Sequence, residues 1–158
     1  MDLMPKQVFF TKGTGTSKDA LLSFELALRN AKIEKFNLVP VSSILPPKVK
    51  IISLEKGLKK LKAGQIVFCV LSRFTSNDKN KEIFSSVGVA VPENKNLNGY
   101  LTEYHGYYKK GIEGHAKEYA KKMLETNLNV KAKENFEIFN KARVKDYTTV
   151  ISAAVFII

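Results

Sequence analysis

A chain of 158 residues with 44% hydrophobic content is sized for one folded domain and composed like an ordinary globular protein. Its net charge of +11 comes from 26 Lys and Arg against 15 Asp and Glu, yet only Arg29, Arg73 and Arg143 are arginines. The lysines are scattered, and no helix-turn-helix, zinc finger or RNA-binding aromatic motif accompanies them, so the charge reads as solvated surface and argues against a nucleic-acid partner.

No segment approaches the roughly 20 apolar residues needed to cross a bilayer, so no membrane partner is expected. The opening MDLMPKQ has no apolar run behind a basic start, and the expected location is cytoplasmic. Cys69 is the single cysteine and sits in the apolar run Ile66 to Leu71. It cannot form an internal disulfide and is expected to be buried.

In chain order, Gln7 to Thr11 predicts a first strand, followed by a polar loop from Lys12 to Ser17. Gly13-Thr14-Gly15 in that loop lacks the Lys-Ser/Thr completion of a phosphate-binding loop and reads as a tight turn. Asp19 to Ala31 carries leucines at mixed spacings of three and four and predicts a helix capped by Ser17 or Thr16. Phe36 to Val41 predicts a strand, Lys48 to Ile52 its continuation past a proline corner, and Leu54 to Leu61 a short basic helix. Gln65 to Arg73 is short and almost wholly apolar, as a central strand would be. Phe74 to Glu82 reads as a turn, and Ile83 to Val91 and Gly99 to His105 as two more strands. Lys109 to Asn127 predicts the longest helix, with Ala116, Tyr119, Ala120, Met123 and Leu124 on one face. Val130 to Phe139 and Val144 to Ile158 close the chain as strands. This order implies an α+β domain, with antiparallel sheet covered by helices.

The chemistry concentrates in FNLVPVSSILPPK, Phe36 to Lys48. A strand runs into Ser42-Ser43, and Pro46-Pro47 stiffens the backbone just beyond. A strained serine pair at a strand end suits attack by a hydroxyl on its own backbone: the Ser43 Oγ adds to the Ser42 carbonyl, an ester forms, and β-elimination frees Ser42 as a new C-terminus. The alternative is a pair of turn serines bonded to their own backbone. Glu103 lies in a predicted strand with apolar neighbours that would raise its proton affinity, or else faces solvent. Glu25 is a carboxylate on a predicted helix and by local sequence reads as solvated. His105 and His115 lack the partners of a metal site or a nucleophile triad, so no metal is expected.

These residues together resemble the pyruvoyl-dependent arginine decarboxylase family. The matching pieces are Gly13-Thr14-Gly15, Asp19 to Ile33, Asn37 to Pro47, Val87 to Pro92 and Gly99 to Gly106, which contains the EY-x-G segment. The resemblance implies a four-layer αββα sandwich, self-cleaved into fragments 1–42 and 43–158. It also implies a homo-oligomer, trimer or hexamer, with active sites between neighbouring subunits. Ser43 would become a pyruvoyl group, and no pyridoxal phosphate would be needed. The reaction would be L-arginine to agmatine and carbon dioxide, for polyamine synthesis or acid resistance. Asn37 would assist self-processing, and Glu103 would protonate the former α-carbon. Glu25 stands where the family has an aspartate for the guanidinium group, and Leu21, one turn earlier, would pack on the aliphatic part of the substrate. His105 departs from an acidic residue at its position and takes no role from the resemblance. The rival readings are the same chemistry on another amino acid, or an uncleaved structural, regulatory or nucleic-acid-binding paralog.

Overall fold

Val8 and Phe9 are adjacent in the first strand and both fully buried, so that strand is covered on its two faces. The computed structural model describes residues 1–158 and builds on this pair. Strand β1 (Gln7–Ser17) leads to helix α1 (Ala20–Asn30), then to β2 (Asn37–Pro40), β3 (Ile44–Leu45), β4 (Lys50–Ile51) and α2 (Leu54–Leu58). The long strands β5 (Ile66–Ser76), β6 (Glu82–Pro92) and β7 (Gly99–Tyr107) follow, then α3 (His115–Leu128), β8 (Ala132–Arg143) and β9 (Tyr147–Ile157). No helix is long and apolar enough to cross a membrane.

The strands form two sheets, ordered β2-β5-β9-β1-β4 and β3-β7-β6-β8. Val8, Val70, Ala154 and Phe156 of the first sheet meet Leu45, Val87, Val89 and Leu101 of the second in one buried cluster. Phe9, Cys69, Ile151 and Val155, on the reverse face of the first sheet, pack against Ala27 and Leu28 of α1 and Ala31 at its C-terminal cap. Ala120 and Leu124 of α3 pack with Ala90 of the second sheet. A sheet strand covered on both faces needs no polar alternation, which is why β9 is buried almost from end to end.

The structure corrects several boundaries. The Lys12–Ser17 loop does not exist: β1 pairs with β9 without interruption from Gln7↔Ile157 to Ser17↔Tyr147. Gly13 and Gly15 serve close approach instead of a turn, because a Cβ on Gly13 would lie 2.2 Å from the Ala27 carbonyl oxygen and one on Gly15 2.3 Å from that of Ser23. The cap of α1 is Asp19, accepting from the Leu22 N–H at 2.8 Å, in place of Ser17 or Thr16. The turn expected from Phe74 shrinks to residues 77–81, since β5 continues through Ser76. The long helix begins at His115, where Gly114 adopts φ +86° and its N–H donates to Glu137 Oε1 at 2.6 Å.

Because the contacts of Gly15 are backbone atoms of α1, the Gly15→Ala side chain cannot be accommodated by a rotamer change. Overpacking of this kind costs about 1–3 kcal/mol, and urea unfolding of that variant should show a lowered midpoint with an unchanged slope.

Candidate active site

The chain changes sheets at the serine pair. On one side the Val41 N–H donates to the Cys69 carbonyl at 2.8 Å, extending the β2–β5 ladder of the first sheet. On the other the Leu101 N–H donates to the Ser43 carbonyl at 2.8 Å, extending the β3–β7 ladder of the second. The Ser42–Ser43 peptide therefore spans the gap between sheets and belongs to no ladder itself. Beyond β3 the Val49 N–H returns to the Pro46 carbonyl, and Lys48 is held at φ +60° with its N–H on the Lys95 carbonyl. This turn anchors the downstream end of the crossing.

Beside the crossing lies a cleft of ≈ 320 Å³ lined by Ser42, Ser43, Val70, Leu101, Thr102, Glu103, Tyr104 and Met123. Larger depressions exist, one of ≈ 640 Å³ bordered by Lys48, Lys50, Lys95 and Lys133, but it contains neither the serines nor Glu103. Strand β7 is locked in rotation from its outer face. The Thr102 Oγ1 donates to the Ala116 carbonyl at 2.6 Å, and the Tyr104 ring meets the His115 ring edge-on at 4.6 Å. With the even residues committed to α3, period-two alternation turns Leu101, Glu103 and His105 toward β5. The Ser72 Oγ of β5 donates to the Tyr104 carbonyl at 2.6 Å, joining the sheets beside Glu103.

Glu103 reaches solvent at the cleft, yet the protein around it removes enough water to raise its carboxyl above the usual range. His105 acts in the opposite sense and lowers it. Burial is also the chief cause that pushes the Cys69 thiol up to about 12, with the Glu103 charge adding to it. Cys69 is thus an inert core thiol, as its apolar surroundings predict.

Of the residues singled out in the sequence, the structure brings together Ser42, Ser43 and Glu103. It does not bring Asn37, Glu25 or Leu21 to them within one chain. Asn37 begins β2, five residues or about 16 Å of extended chain before Ser42, and its Nδ2 donates to the Gly64 carbonyl at 2.8 Å. Glu25 lies on α1, where its Oε1 accepts from Arg29 Nε at 3.0 Å. Leu21, on the same helix, is 76% exposed. Val70, Thr102 and Met123 line the cleft without having been singled out. Alternation along β5 carries the signal for Val70, and the shared helix face of Ala116, Ala120 and Leu124 that for Met123, which reaches the cleft through the packing of α3.

The model of the family described as pyruvoyl-dependent arginine decarboxylase matches residues 7–158. The chain belongs to that family. It is 53% identical to pyruvoyl-dependent arginine decarboxylase 2 of Archaeoglobus fulgidus over 158 residues, covering 100% of both chains. It is 57% identical to pyruvoyl-dependent arginine decarboxylase 1 of the same organism over 157 residues, covering 99% of this chain and 100% of that one. A probable pyruvoyl-dependent arginine decarboxylase of Chlorobaculum tepidum is 50% identical over 137 residues, 85% of this chain and 76% of the relative. Among solved structures, a pyruvoyl-dependent histidine decarboxylase aligns with TM-score 0.48 and 11% identity, over 62% of this chain and 52% of its own.

The prosthetic group of this family is a pyruvoyl group, and the surroundings of Ser43 suit one. The Ser43 carbonyl is already fixed by the Leu101 N–H, and Val70, Leu101 and Met123 supply apolar walls around a small carbonyl group.

The raised carboxyl of Glu103 has a measurable effect on stability. A carboxyl whose proton affinity rises on folding is neutral at little cost in acid, and it costs stability as pH climbs past its unfolded value toward its folded one. Glu103→Gln removes that penalty. Its melting temperature should exceed that of the parent near pH 8, with the difference shrinking toward pH 4.

Proposed function

We propose that this chain cleaves itself between Ser42 and Ser43 and then decarboxylates L-arginine to agmatine and carbon dioxide. The observation that carries the reading is the placement of the Ser42–Ser43 peptide between two sheets, in the same cleft as a carboxyl of raised proton affinity. In the first stage the Ser43 Oγ adds to the Ser42 carbonyl carbon and the Ser42–Ser43 C–N bond breaks, leaving an ester. Loss of the Ser43 α-proton expels the Ser42 carboxylate, and addition of one water with loss of ammonia leaves a ketone at residue 43. Fragments 1–42 and 43–158 result. Anchorage of residues 41 and 43 to different sheets supports this, because each new end remains held by its own ladder.

When formed, the pyruvoyl group supplies an electron-withdrawing carbonyl that stabilises charge as carbon dioxide leaves. The chain contributes the proton. Glu103 holds it more tightly than an ordinary carboxyl because its surroundings disfavour the carboxylate, and delivers it to the former α-carbon of the substrate. Leu101 holds and polarises the Ser43 carbonyl with its N–H. Val70 and Met123 narrow the cleft on the apolar side.

The assembly proposed is a trimer, or a hexamer built from trimers, of four-layer αββα subunits. Glu25 and Leu21 of a neighbouring copy would read the substrate, the carboxylate exchanging Arg29 for the substrate guanidinium and Leu21 covering its methylenes. Their exposed position on α1, away from the cleft of their own chain, supports a role across an interface. Asn37 is assigned on the same terms to self-processing of an adjacent copy. The cytoplasmic setting belongs to this reading as well.

Intact-mass analysis of purified protein should give two fragments, the longer one carrying a borohydride-reducible ketone. Ser43→Ala should remain whole. Glu103→Gln should be cleaved yet slower in turnover by about 10²–10⁴, the usual weight of a general acid. Normal turnover in that variant would remove Glu103 from the mechanism.

A further inference from the structure

Glu103 is not isolated on its face of β7. Leu101, Glu103, His105 and Tyr107 form one row toward β5, and the row opposite them is Val70, Ser72, Phe74 and Ser76. The His105 imidazole is stacked on Phe74, with ring centroids 5.8 Å apart and an interplanar angle of 24°. Phe74 is fixed in turn by Tyr107, edge-on at 5.3 Å, whose hydroxyl lies 3.0 Å from Ser76 Oγ. The imidazole is therefore held two residues, about 6.6 Å, along the strand from Glu103 and on the same face. Phe74 lies in the stretch that the sequence pattern assigns to a turn, so this support comes from the extension of β5.

Within one chain, the groups placed around the pair bring no lysine or arginine to the cleft. On β6, Val87 and Ser85 stand opposite Glu103 and His105, and Ser85 Oγ is engaged with Ser152 Oγ at 3.1 Å. On β5, Arg73 points away to α1, its guanidinium 4.0 Å from the centre of the Phe24 ring. The Cys69 thiol stays protonated, and Tyr107 is a phenol paired with Ser76. From the β3 side come Ser42 and Ser43, which carry no charge. The titratable Tyr104, His115 and Tyr119 pack together on the α3 side of the sheet. No lysine or arginine lines the cleft.

We infer that His105 is a positioning residue for the catalytic proton: its imidazole charge sets the pH at which Glu103 ceases to be an acid. This rests on the reading of Glu103 as proton donor. A neutral imidazole leaves the proton affinity of Glu103 at the level its desolvation sets. A charged one favours the carboxylate by attraction along the strand. An imidazole ordinarily changes charge between about pH 5 and 8, which is the range over which this control acts. The sign agrees with the lowering effect of His105 on the Glu103 carboxyl.

Two variants of opposite charge logic test it. His105→Gln removes the switch, and His105→Lys makes the positive charge permanent. Each is first made in the unprocessed Ser43→Ala background and followed by the ¹³C carboxyl resonance of Glu103. That resonance should titrate about 0.5–1 pH unit lower in the His105→Lys variant than in the His105→Gln variant, as a unit charge at this distance in a partly aqueous site requires. In self-cleaved protein, the alkaline limb of the kcat–pH profile should move by the same amount in the same direction. Coincident carboxyl titrations in the two variants overturn the inference, whether or not either variant self-cleaves. If the carboxyl titrations separate while the kcat limbs coincide, control of the catalytic proton by His105 is likewise overturned. An active Glu103→Gln enzyme is a different failure, that of the donor assignment beneath it.

Discussion

Two backbone hydrogen bonds, one on each side of a single peptide, organise the chemistry of this chain. Val41 is tied to Cys69 in one sheet and Ser43 to Leu101 in the other, so the peptide between the serines cannot follow either sheet without breaking a ladder bond. The same Leu101 that anchors Ser43 precedes Glu103 by two residues and shares its face of β7. One hydrogen bond therefore sets the distance between Ser43 and Glu103. Rotation of β7 is settled independently, by Thr102 and Tyr104 on the opposite face.

The space between the sheets is not uniformly apolar. One cluster around Val70, Val87 and Leu101 lies next to the serines, and another around Ile83 and Val150 lies further along. Between them runs a belt of small hydroxyls, Ser72, Ser85 and Ser152. These satisfy one another and nearby carbonyls, and no buried side-chain polar atom is left without a partner. Glu103 sits where the apolar cluster gives way to this belt. That boundary explains a carboxyl both reachable by solvent and resistant to ionisation: apolar walls strip water from it, the neutral hydroxyls nearby add no charge, and His105 offsets only part of the loss.

The sequence made the order of elements legible because β5, β6 and β9 are long and mostly apolar, broken only by small hydroxyls and Arg73. It misled where a residue type has two physical uses. Gly13 and Gly15 look like turn formers, but here they clear space for α1, and Thr14 and Thr16 bond to Asn140 and Thr148 across the fold. Polar residues after Phe74 hid the end of β5 for a similar reason, since Thr75 and Ser76 are buried or half-buried in the hydroxyl network and are not solvated. The serine pair and Glu103 were legible because local sequence and a distinctive downstream segment both mark them. Asn37, Glu25 and Leu21 are equally visible as letters, yet a single chain does not bring them to the cleft. Proximity that depends on another copy leaves no periodic trace in a sequence.

The position of β1 has a consequence for any break at the serine pair. Although it begins the sequence, β1 lies inside its sheet, flanked by β9 and β4, while β2 flanks β5. Any break at residue 42 thus leaves two pieces whose strands are interleaved, not laid side by side. Neither piece retains a complete core, and the short one is bound by eleven consecutive register pairs between β1 and β9 as well as by α1 packing. Scission here severs covalent connectivity while leaving the cooperative unit of folding undivided, so the two polypeptides would melt as one body and exchange partners only through global unfolding.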